Sequence, residues 1–150
     1  MKKEDIKIPP IGLTYKRSEM PQLGATNDFL HQLQNHKVKF HYTNVDSKDL
    51  KASQDEFNRD AIHSLIHEPH KARSAIVISK DNYVIDGHHR WAANYNTGKK
   101  TKAVKVHLPV LELLKLTKTF PTTKYKNIHQ VKESVMKVVR EARERENINT

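Results

Sequence analysis

The sequence predicts a single α/β domain in which helices surround a small mixed sheet. The chain has 150 residues, enough for one hydrophobic core but not for two independent ones. Short apolar segments of strand length alternate along it with longer segments whose apolar residues recur at helical spacing. Hydrophobic residues make up 36% of the chain and charged residues 29%, a composition too apolar and too patterned for general disorder.

The first 37 residues are predicted to form an extended arm and a short helix. Prolines and glycines interrupt the arm too often for regular structure: Pro9, Pro10, Gly12, Pro21 and Gly24. Thr26 or Asn27 can then cap a helix with three apolar residues on one face: Phe29, Leu30 and Leu33. A strand over residues 38–45 follows.

The next helix is predicted from Ser53-Gln54-Asp55-Glu56, which has the sequence of a capping box. In that motif the Ser53 hydroxyl accepts from the Glu56 N–H, and the Glu56 carboxylate accepts from the Ser53 N–H. The helix is expected to bury an apolar stripe and to end before Pro69. The stripe comprises Phe57, Ala61, Ile62, Leu65 and Ile66.

A hairpin that leads directly into a third helix is predicted next. Strands over residues 75–79 and 83–85 flank a polar turn. The helix spans residues 88–97 and ends at Gly98, which suits a left-handed cap. Trp91 on this helix is expected to belong to the core rather than to a surface that stacks on bases.

The last part of the chain is predicted to contain one strand and two helices. The strand covers residues 103–108, and Pro109 opens a short helix over residues 110–114. A basic link then leads to an amphipathic helix that can pack on its own domain or form a homodimer with a second copy. The apolar stripe of that helix comprises Ile128, Val131, Val135, Val138 and Ala142. The chain thus divides into the arm, a domain over residues 38–116, and a basic linker with a C-terminal helix over residues 117–150.

The junction between the hairpin and the third helix has the composition of an anion site. Asp86 and Gly87 end an apolar strand, and the helix begins at once with His88, His89 and Arg90. Gly87 can adopt a positive φ or let a ligand approach the backbone closely. The first N–H groups of a helix have no partner within it, and they point outward with the positive end of its dipole. Since Arg90 adds a forked donor, the segment suits a polyphosphate.

Residues 86–93, Asp-Gly-His-His-Arg-Trp-Ala-Ala, resemble the central motif of the ParB/sulfiredoxin superfamily. Members place a Gly-x-x-Arg turn between a strand and a helix to hold the phosphates of a nucleotide. The segment is especially similar to that of stand-alone ParB-like phage proteins, often described as nucleases, and to that of free-serine kinases with the same fold. The resemblance covers about residues 38–116. It implies a ParB/sulfiredoxin-like fold that binds a nucleoside triphosphate, ATP or CTP, with Mg²⁺.

Three departures from these relatives bear on activity. Sulfiredoxins use a catalytic Cys where this chain has His88, and the chain contains no Cys, so sulfinic acid repair is excluded. The kinases use a carboxylate base at the position of Gln54, which cannot take a proton, although Asp55 and Glu56 lie next to it. Partition ParB proteins continue with a DNA-reading domain and a dimerisation domain. The 34 residues from 117 to 150 cannot supply both.

The candidate site residues fall into two groups. Four are predicted to take part in catalysis: His88, His89, Arg90 and Glu56. Seven are predicted to bind the nucleotide: Asp86, Gly87, His88, His89, Arg90, Gln54 and Asn58. Asp86 can also hold Mg²⁺, orient a neighbouring histidine or cap the helix. Glu56 is open to two interpretations, a helix cap and a catalytic base.

Histidine pairs raise the question of a separate metal site. His63 and His67 are four residues apart on the second predicted helix, a spacing that two Zn²⁺ ligands can have. The chain contains ten histidines, so this spacing arises readily by chance. No acidic partner or third ligand follows at a typical spacing, and a structural metal is not expected there.

The positive charge of the chain is concentrated after the motif helix. The net charge is +10, and residues 99–126 hold eight lysines against one acid, Glu112, a local balance of 8 − 1 = +7. The field of these lysines is expected to border the phosphate site and to attract DNA. No run of about 18 apolar residues and no apolar signal core is found, which predicts a cytoplasmic protein without membrane contact. If a phage encodes the chain, the cytoplasm is that of its bacterial host.

Three functions are open from the sequence. The preferred one is a ParB-like nuclease or nucleotide hydrolase that breaks a phosphorus–oxygen bond near DNA. The second is an ATP-dependent kinase of a small hydroxyl compound, with His89 and Arg90 on the phosphates and Asp55 or Glu56 as base. The third is a non-catalytic module in which nucleotide occupancy changes the shape of a surface that binds DNA or a protein.

Overall fold

The fold is described from a computed structural model that covers residues 1–22, 27–120 and 124–125. Eight strands lie in these ranges: β1 (Ile11–Tyr15), β2 (Pro21–Gln22), β3 (Phe40–Asp46), β4 (Lys51–Gln54), β5 (Ile76–Ile78), β6 (Tyr83–Asp86), β7 (Lys100–Val106) and β8 (Lys124–Tyr125). The same ranges contain four α-helices: α1 (Asn27–Asn35), α2 (Arg59–His67), α3 (His88–Asn96) and α4 (Val110–Thr117). Short 3₁₀ turns connect several of these elements.

Six of the strands form one mixed sheet in the order β1-β4-β6-β5-β7-β3. Strand β4 pairs in parallel with both β1 and β6, while β5 is antiparallel to β6 and parallel to β7. Strand β3 closes the other edge, antiparallel to β7. The prediction of an α/β fold with a small mixed sheet is confirmed. In this sheet the carboxyl ends of the parallel strands β1, β4 and β6 lie side by side.

Apolar residues cover both faces of the sheet, because successive side chains of a strand point to opposite faces. One face carries Ile76, Ile78 and Val84, which pack with Trp91 of α3. The opposite face carries a second cluster that includes residues of α1 and α4: Val77, Ile85, Val104, Phe29, Leu33 and Leu113. The central strands read as continuous apolar runs because helices cover them on both sides.

Several predicted elements are confirmed. Strands β5 and β6 form the expected hairpin, and α3 starts at the predicted residue and ends just before Gly98, which has φ 68°. Trp91 is fully buried, and its indole N–H donates to the Ser47 carbonyl at 2.8 Å. The first predicted helix corresponds to α1, and Pro109 lies at the start of α4.

The prediction of an irregular arm is wrong in part, because residues 11–15 form β1. This strand pairs in parallel with β4, with Ile11 opposite Ala52. Pro9 and Pro10 precede the strand, and β1 is an edge strand with one neighbour, so the missing proline N–H groups break no ladder. The arm therefore contributes a strand end, and the residues after it, to the edge where β4 and β6 also end.

The predicted capping box is also wrong. Ser53 lies in β4. Its N–H donates to His88 Nε2 of α3, and its Oγ donates to the Val84 carbonyl of β6. Helix α2 begins five residues later than expected, and Asn58 caps it by accepting from the Ala61 N–H at 3.1 Å. The capping-box pattern does not determine the structure here, because Ser53 pairs within the sheet and Asn58 is a second suitable cap residue.

Some predictions lie outside the described residues. These concern Thr26, the final amphipathic helix from Ile128 to Ala142, and the homodimer through that helix. The described chain ends at residues 124–125, where β8 pairs antiparallel with β2. Within the described ranges no helix is long and apolar enough to cross a membrane.

Candidate functional site

A cavity of about 370 Å³ lies at the carboxyl ends of β1, β4 and β6. It is called the Gly87 cavity below. In open α/β sheets, ligands commonly bind outside the carboxyl ends of parallel strands. Its polar lining residues come from the ends of these strands, the segments after them, α2 and the turn after α2: Arg17, Gln54, Ser64, Lys71, Asp86, Gly87, His88, His89 and Arg90. All of the predicted nucleotide-binding residues except Asn58 therefore line one cavity.

Gly87 shapes the floor of this cavity. Its φ is 94°, in the left-handed region, as predicted. A Cβ atom at this position would lie 2.5 Å from Ile76 Cγ2 and 2.9 Å from Arg90 Nη2. Gly87 is the N-cap residue of α3 and has no side chain to bond to the first amides of the helix, a position that favours anions. The glycine is needed both for its φ and for the close approach of Arg90.

Arg90 provides the main cation of the cavity. Its Nη2 lies 3.5 Å from the Ala75 carbonyl, a long contact, and this is the hydrogen bond that ties the guanidinium to the protein. Its Nε is buried and has no hydrogen-bond partner among the described residues. An unpaired buried donor costs about 1 to 3 kcal/mol, more when it is charged. The described residues therefore leave part of the hydrogen-bonding capacity of this guanidinium unused.

His88 is buried beneath the cavity rather than exposed in it. It is 4% exposed, its Nε2 accepts from the Ser53 N–H at 3.2 Å, and the Phe57 ring contacts it edge-on. Burial lowers the pKa of His88 to about 3, with smaller contributions from His89 and Arg17. The imidazole is neutral at neutral pH, and an accepting Nε2 leaves the proton on Nδ1. His88 therefore holds the start of α3 against β4 and adds no positive charge to the cavity.

His89 connects the start of α3 to the start of α2. Its Nε2 accepts from the Asn58 N–H at 3.0 Å, and its ring lies edge-on to Phe57. Asn58 uses its own side-chain oxygen to cap α2, so it holds His89 through the backbone and is not part of the cavity lining. The two histidines of the motif thus fix the position of α3 relative to β4 and α2.

The residues after β4 attach the arm to this edge of the sheet. Glu56 Oε1 accepts from the Arg17 N–H at 2.9 Å, and both oxygens of Asp55 lie 3.1 Å from Lys16 Nζ. The Asp55 carboxylate raises the pKa of Lys16 through this hydrogen bond and the opposite charge. Gln54 is buried, and its side-chain amide donates to the Glu56 carbonyl at 2.7 Å. Glu56 holds the segment that carries Arg17, and it does not line the cavity.

Arg17 and Lys71 are cavity residues that sequence reasoning missed. Arg17 is about 70 positions from the motif, and only the pairing of β1 with β4 brings it to the site. Lys71 follows α2 and is already paired with Glu68, at 2.8 Å between Nζ and Oε2. No local pattern identifies either residue, since both depend on tertiary structure.

The lysines that were expected to border this site lie mostly elsewhere. Lys99, Lys100 and Lys102 line a second cavity of about 390 Å³ at the other end of α3, called the Lys100 cavity below. Helix α3 has nine residues and is about 13 Å long, so the residues directly after it start about that far from its N-terminus. Lys105 donates to Asn82 Oδ1 at the hairpin turn. None of these four lysines lines the Gly87 cavity itself, and three of them line the cavity next to it.

The cavity residues fit Mg²⁺ only as an ion shared with a ligand. In the described part of the chain, no three His, Cys, Asp or Glu side chains are grouped as a metal site would require. Asp86 is the acidic residue that lines the Gly87 cavity. Mg²⁺ commonly takes one or two carboxylates, several waters and substrate phosphates. His63 and His67 have Nε2 atoms 3.1 Å apart on α2, without a third ligand in the described ranges.

No protein-family model, curated protein or solved structure matches the chain. The resemblance of residues 86–93 to the ParB/sulfiredoxin motif therefore stays a prediction. What the protein binds has to be inferred from the chemistry of the Gly87 cavity.

Proposed function

We propose that the Gly87 cavity binds the phosphate groups of a nucleoside triphosphate. The observation that carries this proposal is the Arg90 guanidinium, whose buried Nε lacks a partner among the described residues and which lies against Gly87. The first amides of α3, which follow the glycine N-cap, and the guanidinium of Arg17 add further donors and charge on the same cavity. A phosphate group offers several acceptor oxygens to this set.

Some residues of the site bind phosphate oxygens, and others hold the start of α3 in position. Arg90, Arg17 and the α3 amides hold phosphate oxygens, while His88 keeps the start of α3 against Ser53 of β4. Asp86 would hold Mg²⁺ together with the phosphates, and the ion would supply neutralisation of the developing negative charge. Such an arrangement supports cleavage of a phosphorus–oxygen bond, as in a nuclease or nucleotide hydrolase.

The kinase alternative has less support from the geometry. Its base would have to come from the region of Gln54, and the two carboxylates beside that residue hold the arm through Lys16 and Arg17. A hydroxyl substrate would need one of these contacts to break. Phosphate binding and hydrolysis require no such change.

Titration calorimetry with ATP, CTP and GTP in the presence of Mg²⁺ tests the proposal directly. We expect at least one nucleotide to bind, and Arg90→Gln to weaken that binding by tenfold or more, since a hydrogen bond to a charged group contributes about 1.5 to 3 kcal/mol. Arg73→Gln, which removes an exposed arginine from the Lys100 cavity, is the matched control and should leave the affinity unchanged. Wild-type protein that binds none of the three at about 1 mM would overturn the proposal.

Turnover of the bound nucleotide separates the enzymatic versions. Release of inorganic phosphate or nucleotide products without an added acceptor supports hydrolysis, and release that requires an added hydroxyl compound supports the kinase. Binding without any product leaves the non-catalytic module. Each result is informative only if Arg90→Gln lowers it in parallel with nucleotide affinity.

A further inference from the structure

The Lys100 cavity is a second recess with a positive lining. It lies between the end of α2, the last turns of α3 and the first residues of β7. Four cations line it, and the described part of its lining includes no acid: Arg73, Lys99, Lys100 and Lys102. Asp46, which is opposite Lys100 in the sheet register, instead accepts from the Lys48 N–H and does not line the cavity.

These four cations share one property with most other cations of the described residues, which is that they form no ion pair with a carboxylate. Lys3, Lys16 and Lys71 each form an ion pair with a carboxylate. In the described ranges none of the four cations of the Lys100 cavity has such a pair. Lys99 and Lys100 follow α3 and can complement its dipole, but this explanation does not extend to Arg73 or Lys102. Their charge is therefore available to an external anion.

The two cavities lie along one face of α3. Arg90 borders the Gly87 cavity, and Ala93, Asn94 and Thr97 border the Lys100 cavity. Positions three, four and seven residues apart share a helix face. Leu65 of α2 lines both cavities, so they are neighbours. The cations form one series that starts at Arg17 and Arg90 and continues to the Lys100 cavity.

The chemistry of this series identifies the type of ligand. Positive groups spread along about 13 Å of helix match a chain of phosphates better than one small anion. Among the described residues no Phe, Tyr or Trp lines either cavity, so contacts would be made to the backbone rather than by stacking on bases. Residues of both α2 and α3 line each cavity, so the phosphates would lie in recesses of the surface, which a flexible single strand follows more easily than a rigid duplex.

We infer that the Lys100 cavity binds the phosphodiester backbone of a single-stranded nucleic acid, one phosphate of which occupies the Gly87 cavity. This inference rests on the proposed function, because it names the polymer to which the bound phosphate belongs. Binding is expected to be independent of sequence and strongly dependent on salt.

A charge-neutralising triple variant, Lys99→Gln, Lys100→Gln and Lys102→Gln, tests the inference. Its matched control neutralises three exposed lysines that line neither cavity: Lys39, Lys115 and Lys118. Fluorescence anisotropy would follow a labelled oligodeoxynucleotide of about 12 nucleotides, within the usual range of single-strand sites. We expect the first variant to bind roughly tenfold more weakly at low salt. The slope of log affinity against log salt concentration should be smaller by about 2, since each of three lost phosphate contacts contributes about 0.7 to it. The control should change neither value by a comparable amount.

Several outcomes would overturn the inference without affecting the proposed function. These are unchanged oligonucleotide binding in the first variant, an equal loss in the control, or tighter binding of the matching duplex through the same lysines. Loss of oligonucleotide binding that Arg90→Gln does not share would show that the two cavities do not hold one strand. In all of these cases calorimetry with the mononucleotide, which should be unaffected by the three lysine changes, still reports on the Gly87 cavity. Equal thermal denaturation midpoints of the variants exclude loss of folding as the cause.

Discussion

The two cavities along α3 have similar volumes, about 370 and 390 Å³, but they hold their positive charge in different ways. In the Gly87 cavity the main cation is the Arg90 guanidinium, whose Nε is buried and which lies against a left-handed glycine. In the Lys100 cavity it belongs to exposed lysines on flexible stems. Fixed and partly desolvated donors select a ligand by shape, whereas exposed ammonium groups provide attraction that salt screens.

The two cavities also depend on different parts of the fold. The Gly87 cavity exists because three neighbouring parallel strands, β1, β4 and β6, end at one edge of the sheet. The Lys100 cavity is formed by the end of α2 with the turn after it, the end of α3 and the strand pair β3–β7. Damage to the sheet edge should therefore remove the first site and leave the second, and the glycines at the two ends of α3 allow this to be tested.

Among substitutions that contrast the two cavities, Gly87→Ala should have the largest effect. A left-handed backbone costs a non-glycine residue about 1 to 2 kcal/mol, and the clash with Ile76 at 2.5 Å adds an overpacking cost of about 1 to 3 kcal/mol. We expect a loss of about 2 to 5 kcal/mol in the free energy of unfolding, measured by urea denaturation. Nucleotide binding should also be lost, because Arg90 Nη2 must move away from the new methyl group.

Gly98→Ala is the matched control for that substitution. Gly98 is also left-handed, with φ 68°, but no atom lies within 4 Å of a Cβ at this position. Only the backbone cost of about 1 to 2 kcal/mol should appear, and nucleotide affinity should be unchanged. Equal losses for both alanine variants would show that the close contacts around Gly87 do not matter, and the contrast between the cavities would fail.

The contrast also explains what could be predicted from the sequence. Residues 86–90 were assigned correctly to a strand, a left-handed turn and a helix start, because that geometry is encoded within a few neighbouring residues. Arg17 was missed because β1 and β4 pair across about 40 residues of chain. Ser53 was misassigned because its hydroxyl bonds to Val84, which is 31 positions away.

The position of the lysine-rich stretch is a nonlocal feature of the same kind. Lys99 is close to the motif in sequence, but the length of one helix separates it from Gly87, so it lines the neighbouring cavity. Local backbone geometry is therefore well predicted at this site, whereas the side chains that complete each cavity depend on strand order.

His88 should link the stability of the Gly87 cavity to pH. Its pKa is lowered from an ordinary 6.5 to about 3 in the folded protein, chiefly by burial. The unfolded chain therefore binds an extra proton between these values, and stability is lost as pH falls from about 6.5 to 3. Between pH 7 and pH 5 this group alone should lower the free energy of unfolding by about 2 kcal/mol.

Denaturant titrations of wild type and His88→Gln at several pH values measure this contribution as a difference. The variant should lack the His88 part of the pH dependence, although it is less stable at neutral pH because the contact with the Ser53 N–H is altered. Parallel pH profiles for the two proteins would mean that the imidazole protonates normally when folded. His88 would then be available as a cation or a base, and the distinction between positioning and charge in this cavity would be wrong.

Glu56→Gln should have the smallest effect, because the amide oxygen can still accept from the Arg17 N–H. We expect the free energy of unfolding to change by less than about 0.5 kcal/mol and nucleotide affinity to change by less than about twofold. Glu56→Ala removes the acceptor, releases the arm and should weaken nucleotide binding more than the glutamine does, measured by the same calorimetry. If the glutamine variant binds nucleotide normally but loses all turnover, Glu56 is the catalytic base after all, since only its ability to take a proton has changed.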